Sequence, residues 1–266
     1  DAHMTGSLTG RSALVTGSVA GLGLALARTL AREGAAVTLN GLARPGEGEA
    51  AAAALAAETG AAVAFDPCDL ADPAQIERMT AAAAERSGGI DILVNNAVIR
   101  HFQPIEAFTV AEWNASIAIN LSAAFHAARL ALPGMKAKGW GRIVNLSSIY
   151  GQRGAENRVD YVTTKTALIG LTRAIAIETA ATGVTCNAIC PGTVPSPAIL
   201  GRIAGIAAAD GVSEDVAARD YILPRHPTGR FVALDSVGAL LLFLCSPAGA
   251  DMTGSVLPID GGWHAR

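Results

Sequence analysis

The stretch Ser12-Ala13-Leu14-Val15-Thr16-Gly17-Ser18-Val19-Ala20-Gly21-Leu22-Gly23 governs how the rest of the sequence is read. Ser12 to Thr16 is a short apolar, β-branched run of the kind that forms a buried strand. A glycine-rich turn follows, then an alanine-rich helical pattern ending at Gly34. Strand, glycine turn and helix in that order make a mononucleotide-binding opening. Gly17 can turn tightly, Gly21 lets a pyrophosphate approach the backbone, and Gly23 lets the helix lie close to the strand. The helix N-terminus then offers its free N–H groups to the phosphates.

Working outward, Ala36 to Asn40 reads as a second strand, ending where a dinucleotide fold meets the adenosine ribose. An acidic residue there serves NAD and a basic one NADP. Here stand Asn40, Gly41 and Leu42, with the uncharged Ala20 in the glycine turn. Without a placed cation a 2′-phosphate would lie uncompensated, so NAD is expected, although Arg44 lies close by. A helix over 45–59 and a strand over 62–65 lead to Asp69, which either accepts a hydrogen bond from adenine or caps the next helix, at about 73–87. Ile90 to Ala97 is a further apolar strand, ending in Asn95 and Asn96. This alternation predicts an α/β fold: a single Rossmann-type, doubly wound parallel sheet flanked by helices. One domain over 4–266 is expected, with 193–223, rich in Pro and Gly, as a lid over the substrate.

The 266 residues are 51% hydrophobic and 16% charged, enough apolar material for a large core. A net charge of −3 without a basic block argues against nucleic acid as a partner. Cys68, Cys186, Cys190 and Cys245 lack metal-ligand spacing and read as buried thiols, so no metal site is expected. The longest apolar run, around Leu240 to Cys245, is too short to span a bilayer. A soluble cytoplasmic protein is expected. Asp1-Ala2-His3 ahead of Met4 reads as a vector-derived scar.

Chemistry enters at Tyr161-Val162-Thr163-Thr164-Lys165. Residues four apart on a helix share a face. A free phenol titrates near ~10. An ammonium about 4 Å away, at an effective dielectric of ~20, favours the phenolate by roughly 4 kcal/mol, or about 3 pH units. That brings the tyrosine near ~7, where an acid–base group works best. Taken alone, such a pair is more often an exposed lysine lying along an aromatic ring.

Five motifs now agree: the turn from Thr16 to Gly23, Asn95-Asn96-Ala97, Ser148, Tyr161 with Lys165, and Pro191-Gly192. In order and spacing they resemble the short-chain dehydrogenase/reductase family over nearly the whole chain. One departure is Val98, where the family has glycine; a valine narrows the loop beside the cofactor. The resemblance implies that Ser148 holds the substrate oxygen, Tyr161 exchanges its proton, Lys165 lowers the tyrosine pKa and binds the nicotinamide ribose, and Asn120 orders a water for proton relay. It implies cofactor contacts from Gly17, Ser18, Gly21, Leu22, Gly23, Asn40, Leu42, Asp69, Leu70, Asn96, Ala97, Tyr161, Lys165, Pro191, Gly192 and Val194. It also implies a homotetramer. Outside the family, a serine ending a strand is often a cap, and Asn120 could be a satisfied helix residue.

Within the family, Leu39-Asn40-Gly41, Phe125-His126, Leu130 to Lys136, Thr185 to Gly192 and Asp260 to Trp263 are similar to bacterial D-3-hydroxybutyrate dehydrogenases, which use NAD. Those enzymes hold the substrate carboxylate with Gln, His, Lys and Gln. This chain has Arg100, Tyr150, Arg158 and Arg202 in their places, Thr193 where they have Trp, and a retained Trp263. Arg158 and Arg202 also resemble a sulfonate-binding pair in hydroxypropyl-coenzyme M dehydrogenases, and His101 lines up with a family histidine or is a satisfied loop residue. Guanidinium groups grip carboxylates and sulfonates bidentately. The expectation is a small anionic substrate, larger or more charged than 3-hydroxybutyrate, oxidised at a secondary hydroxyl. A hydroxy-sulfonate or acidic or sulfonated sugar is the alternative within that class, and an NADPH-dependent 3-oxoacyl-type reductase or a catalytically dead NAD sensor lies outside it. The bland reading pairs these arginines with Glu156, Asp160 or the acidic 210–220 stretch.

Overall fold

The computed structural model describes residues 7–266, so the scar assigned to residues 1–3 lies outside them. Seven strands form one sheet: β1 (Ser12–Val15), β2 (Ala36–Asn40), β3 (Val63–Asp66), β4 (Ile92–Asn95), β5 (Gly141–Leu146), β6 (Val184–Pro191) and β7 (Val256–Ile259). Every pairing is parallel and the order is β3-β2-β1-β4-β5-β6-β7. The strand order reverses between β1 and β4, which opens a crevice beyond their carboxyl ends. The doubly wound parallel sheet expected from the sequence is what the chain forms.

Parallel strands are buried on both faces, so they carry continuous apolar runs rather than alternation. Leu14, Leu93, Ile143 and Cys186 face one core, with Ile76, Met79 and Met135 from the helices above. Val15, Leu39, Val94 and Ile189 face the other, with Leu26, Leu30 and Leu241. The helices supplying these layers are α1 (Gly21–Arg32), α2 (Glu47–Thr59), α3 (Pro73–Ser87), α5 (Ala123–Lys138), α6 (Val159–Thr179) and α9 (Leu234–Cys245), while α4 (Val110–Ile117) packs on α6.

Two features go beyond what the sequence suggested. The Pro- and Gly-rich 193–223 segment, expected as a lid, is largely helical. It forms α7 (Pro197–Asp210) and α8 (Glu214–Ile222), with Ser196 and Ser213 as N-caps. The two helices share a small apolar cluster of Ile203, Ala207 and Ala217, separate from the main cores. Second, α4, a π-helical turn at Ala118–Ser122, and α5 run on as one helix over Val110–Lys138. By length and composition alone that 29-residue helix could cross a membrane, although no single apolar run within it is long enough to suggest so. In the fold it lies against α3, β4 and β5, burying Ala127, Ala128, Ala131 and Met135.

Candidate active site

The crevice is a cleft of about 940 Å³ running across the carboxyl ends of β1, β4, β5 and β6. Its nucleotide half is built from backbone in close approach. Gly17 has φ +60°, and a Cβ there would sit 2.7 Å from the Ala97 Cα. A Cβ on Gly23 would lie 2.2 Å from the Gly17 carbonyl oxygen and 2.5 Å from the Asn96 amide nitrogen. That amide donates to the carbonyls of Thr16 (3.0 Å) and Gly17 (2.8 Å), while the Thr16 hydroxyl accepts from the N–H groups of Asn96 and Ala97. Gly23 thus makes room for the turn's own carbonyl and for Asn96, more than for strand packing. The N-cap of α1 is Ala20, with no side-chain cap and no acidic residue in the first turn. The leading N–H groups therefore have no side-chain partner and keep their attraction for an anion.

Gly17, Leu22, Gly23, Asn40, Leu42, Asp69, Leu70, Asn96, Ala97, Pro191, Gly192 and Val194 line this cleft, as does Val98. Gly21 and Ser18 do not. The Ser18 hydroxyl is buried, donating to the Val15 carbonyl and accepting from the Asn40 N–H. Asn40 is fully buried and its amide nitrogen is taken by the carbonyls of Asp66 and Cys68. Both residues brace the turn. Asp69 accepts from the Ala71 N–H, and the N-cap of α3 is Asp72, so the capping alternative for Asp69 is set aside. Arg44 lies away from the cleft wall and pairs with Glu47.

The reacting half gathers residues from β5 and α6. Ser148 follows β5, and its hydroxyl accepts from the Tyr150 N–H at 3.2 Å, so a capping contact and a place on the cleft wall coexist. Tyr161 stands in the first turn of α6 with Lys165 one turn on, both buried and both on the wall. The Lys165 Nζ lies 5.7 Å from the Tyr161 ring centroid and donates to the Leu146 carbonyl at 2.6 Å. Burial alone would push the Tyr161 phenol up; Lys165, Arg100 and the Ser148 hydroxyl outweigh it and bring it below a phenol's usual value. Burial brings Lys165 down to about 8, with Tyr161 opposing that shift and Arg100 adding to it. Asn120 sits behind the wall in the π-helical turn, accepting from the Ile99 N–H (2.8 Å) and donating to the Ile99 carbonyl and to Thr164. A π turn carries one residue more than an α turn, and such turns recur at functional sites.

The far half is cationic. Arg158 and Arg202 stack on Phe102, their Cζ atoms 3.6 and 4.4 Å from its ring centroid. Arg100 and Arg158 each lie 5.3 Å from the Tyr161 centroid. Among the described residues none of the three has a carboxylate within 4.0 Å: Asp160 takes His101 and Asp220 takes Arg219. The surface ion pairs allowed for in the sequence are not formed. The Arg158 Nη1 is buried without a hydrogen-bond partner. Burial lowers the Arg158 pKa, with Tyr161 and Tyr150 opposing and the neighbouring arginines adding. Tyr150 packs edge-on to both Tyr161 (6.3 Å) and Trp263 (5.3 Å), completing an aromatic wall that Thr193 adjoins.

Phe102, Tyr221 and Arg225, which belong to none of the sequence motifs, also line the cleft. The fully buried His226 accepts the Thr193 N–H at Nε2 (2.9 Å) and so donates from Nδ1 to the Arg230 carbonyl. His101 is a tie rather than a wall residue: its Nδ1 lies 2.8 Å from the buried Asp160 carboxylate, which also accepts from Ser116 (2.8 Å) and the Tyr161 N–H (2.6 Å). Those hydrogen bonds overcome the effect of burial and hold Asp160 below the usual carboxylate range. No motif pointed to Asp160, because its partners are 59 and 44 residues away.

A nucleotide-type crevice meeting a serine, a tyrosine and a lysine defines an oxidoreductase site. The comparisons agree. The family model described as Enoyl-(Acyl carrier protein) reductase matches residues 17–264. The chain is 45% identical to D-beta-hydroxybutyrate dehydrogenase of Cupriavidus necator over 97% of this chain and 100% of that one. It is 41% identical to the enzyme of the same name from Rhizobium meliloti, over 96% and 99%. The crystal structure of L-sorbose reductase from Gluconobacter frateurii, complexed with NADPH and L-sorbose, superposes with a TM-score of 0.92 at 28% identity, covering 98% of each chain. The protein belongs to the short-chain dehydrogenase/reductase family and is an enzyme of that family.

Proposed function

We propose that this enzyme uses NAD to oxidise a secondary hydroxyl on a small anionic substrate, one like 3-hydroxybutyrate but larger or more charged. The observation that carries the reading is the Arg158–Phe102–Arg202 stack on the cleft wall with no carboxylate partner. Guanidinium groups left without counter-ions at a cleft favour an anionic ligand, each charge-assisted hydrogen bond contributing about 1.5–3 kcal/mol.

The free N–H groups of α1 and the close-packed turn at Gly17 and Gly23 fit a dinucleotide's pyrophosphate. Leu42, Asp69 and Leu70 would hold the adenosine, Asn96, Ala97, Tyr161 and Lys165 the nicotinamide ribose, and Pro191, Gly192 and Val194 the ring. Bound there, the cofactor supplies the acceptor for the hydride that leaves the carbinol carbon. Tyr161 as phenolate takes the alcohol proton, Ser148 holds the oxygen as it becomes a carbonyl, and Lys165 keeps the phenolate favoured. Asn120, bonded to Thr164 beside Lys165, belongs to the same proton path. NAD rather than NADP is favoured by Ala20 and Leu42 at the ribose end and by Arg44, which is off the cleft wall and pairs with Glu47 on the surface. The same absence of a cation disfavours a 3-oxoacyl reductase using NADPH.

The α7–α8 pair, with Arg202 on one helix and its own apolar cluster, acts as the lid over a single domain. A homotetramer belongs to this reading, with the exposed Phe125 and Ile177 of α5 and α6 as apolar surface for assembly. So does a cytoplasmic location, where the four free buried thiols would stay reduced. Steady-state NADH formation on matched hydroxy acids, hydroxy-sulfonates, acidic sugars and neutral alcohols tests the substrate class, and a best rate on a sulfonate would favour the sulfonate reading. Arg158→Ala and Arg202→Ala are expected to raise the Michaelis constant for the best anion by about tenfold or more. Neutral alcohols outperforming every anion would refute the proposal.

A further inference from the structure

Three cations surround the Tyr161 ring, and they are not equivalent. Lys165 is buried and donates to the Leu146 carbonyl, and with a pKa of about 8 it loses charge in mildly basic solution. Arg158 is committed to Phe102, where it faces Arg202 from α7. Arg100 has neither a second ring nor, among the described residues, a carboxylate; its Cζ lies 5.3 Å from the Tyr161 centroid. Its backbone is also fixed relative to that ring. The next residue, His101, is tied to Asp160, and Asp160 precedes Tyr161 and accepts the Tyr161 N–H. A buried carboxylate therefore joins the loop that carries Arg100 to the helix turn that carries Tyr161.

We propose that Arg100 is a catalytic residue, the permanently charged partner of the Tyr161 phenolate, rather than a holder of the substrate's distal anion. A guanidinium keeps its charge across the whole working range, whereas the lysine does not. The other titratable groups facing Tyr161 cannot take this part. Tyr150, from the turn after β5, offers a phenol edge-on to the ring and no cation. The Asp160 carboxylate is directed to His101 and Ser116, and Cys190 of β6 faces Lys165, burial pushing its thiol up. As pH falls the phenolate takes up a proton and alcohol oxidation fades; losing Arg100 would move that fade to higher pH. The role rests on reading Tyr161 as the acid–base group, and it divides the three arginines of the cationic half between two tasks, Arg100 serving the phenolate and Arg158 and Arg202 the substrate's anion.

The test needs no substrate. Tyrosinate absorbance in the near ultraviolet is titrated in the intact, ligand-free chain, and subtracting the Tyr161→Phe curve isolates Tyr161 from Tyr150 and Tyr221. The wild-type midpoint is expected below the free phenol's. Arg100→Gln should raise it by about one pH unit, because Arg100 is exposed to the open cleft and partly screened, and Arg100→Lys should restore most of the shift. Arg100→Met, checked by circular dichroism, replaces the Gln variant if that one fails to fold. A midpoint unmoved in the Gln or Met variant, with a raised Michaelis constant alone, would overturn the role and return Arg100 to the substrate. A wild-type midpoint at the free phenol's value would instead sink the acid–base reading of Tyr161 itself.

Discussion

The two halves of the cleft satisfy their polar groups in opposite ways. Around Gly17, Asn40 and Asn96, side-chain amides and hydroxyls are bonded to nearby backbone, and Gly17 and Gly23 leave no room for a methyl group. Around Phe102, three guanidinium groups face aromatic rings, and one carries a buried nitrogen with no partner. Apart from the leading N–H groups of α1, the first half is complete before any ligand arrives. The second is a charge excess that an anion would complete. Fold stability and recognition are thus divided between the halves, so substitutions in them should differ in what they damage.

The largest expected effect lies where the halves meet. Tyr161→Phe removes the phenol oxygen but not the ring that Tyr150 and the arginines contact. Turnover should fall by about 10²–10⁴-fold, while NADH binding, followed by its fluorescence, stays nearly unchanged. Wild-type turnover in this variant would end the assignment. A smaller but still clear loss is expected in the nucleotide half. Gly23→Ala puts a methyl 2.2 Å from the Gly17 carbonyl oxygen and 2.5 Å from the Asn96 amide. Overpacking of that kind costs about 1–3 kcal/mol, readable as a lower urea midpoint together with weaker NADH binding. An unchanged midpoint would show that this half has slack, and the contrast would fail.

The same division explains what could be read from the sequence. The nucleotide half was legible because its requirements are local: a strand, a turn and a helix in one stretch of chain, with glycine at positions where a side chain is sterically excluded. Tyr161 and Lys165 were legible because four residues on a helix fix a shared face. Most of the strands and the sheet itself followed from apolar runs, whereas α7 and α8 were hidden by the prolines and glycines that precede and interrupt them. The Asp160 tie, the His226 brace and the Phe102 plate were not legible. Each depends on segments tens of residues apart meeting in three dimensions, and none leaves a spacing rule behind. Asn40 and Ser18 show the converse: expected to contact a cofactor, their side chains are bonded to nearby backbone and brace the turn.

The sharpest use of the contrast is Arg158→Met, where the smallest stability change is expected and its sign matters most. Truncating a packed residue usually destabilises a protein. Here the arginine leaves a buried Nη1 unsatisfied, a penalty of about 1–3 kcal/mol that methionine does not incur. The lost cation–π contact with Phe102 works the other way by about 0.5–2 kcal/mol. The two nearly cancel, so the urea midpoint should hold or rise slightly even as the Michaelis constant for the anionic substrate climbs. A marked loss of stability would mean that Arg158 has a structural partner after all, and that the cationic half, like the nucleotide half, is complete on its own.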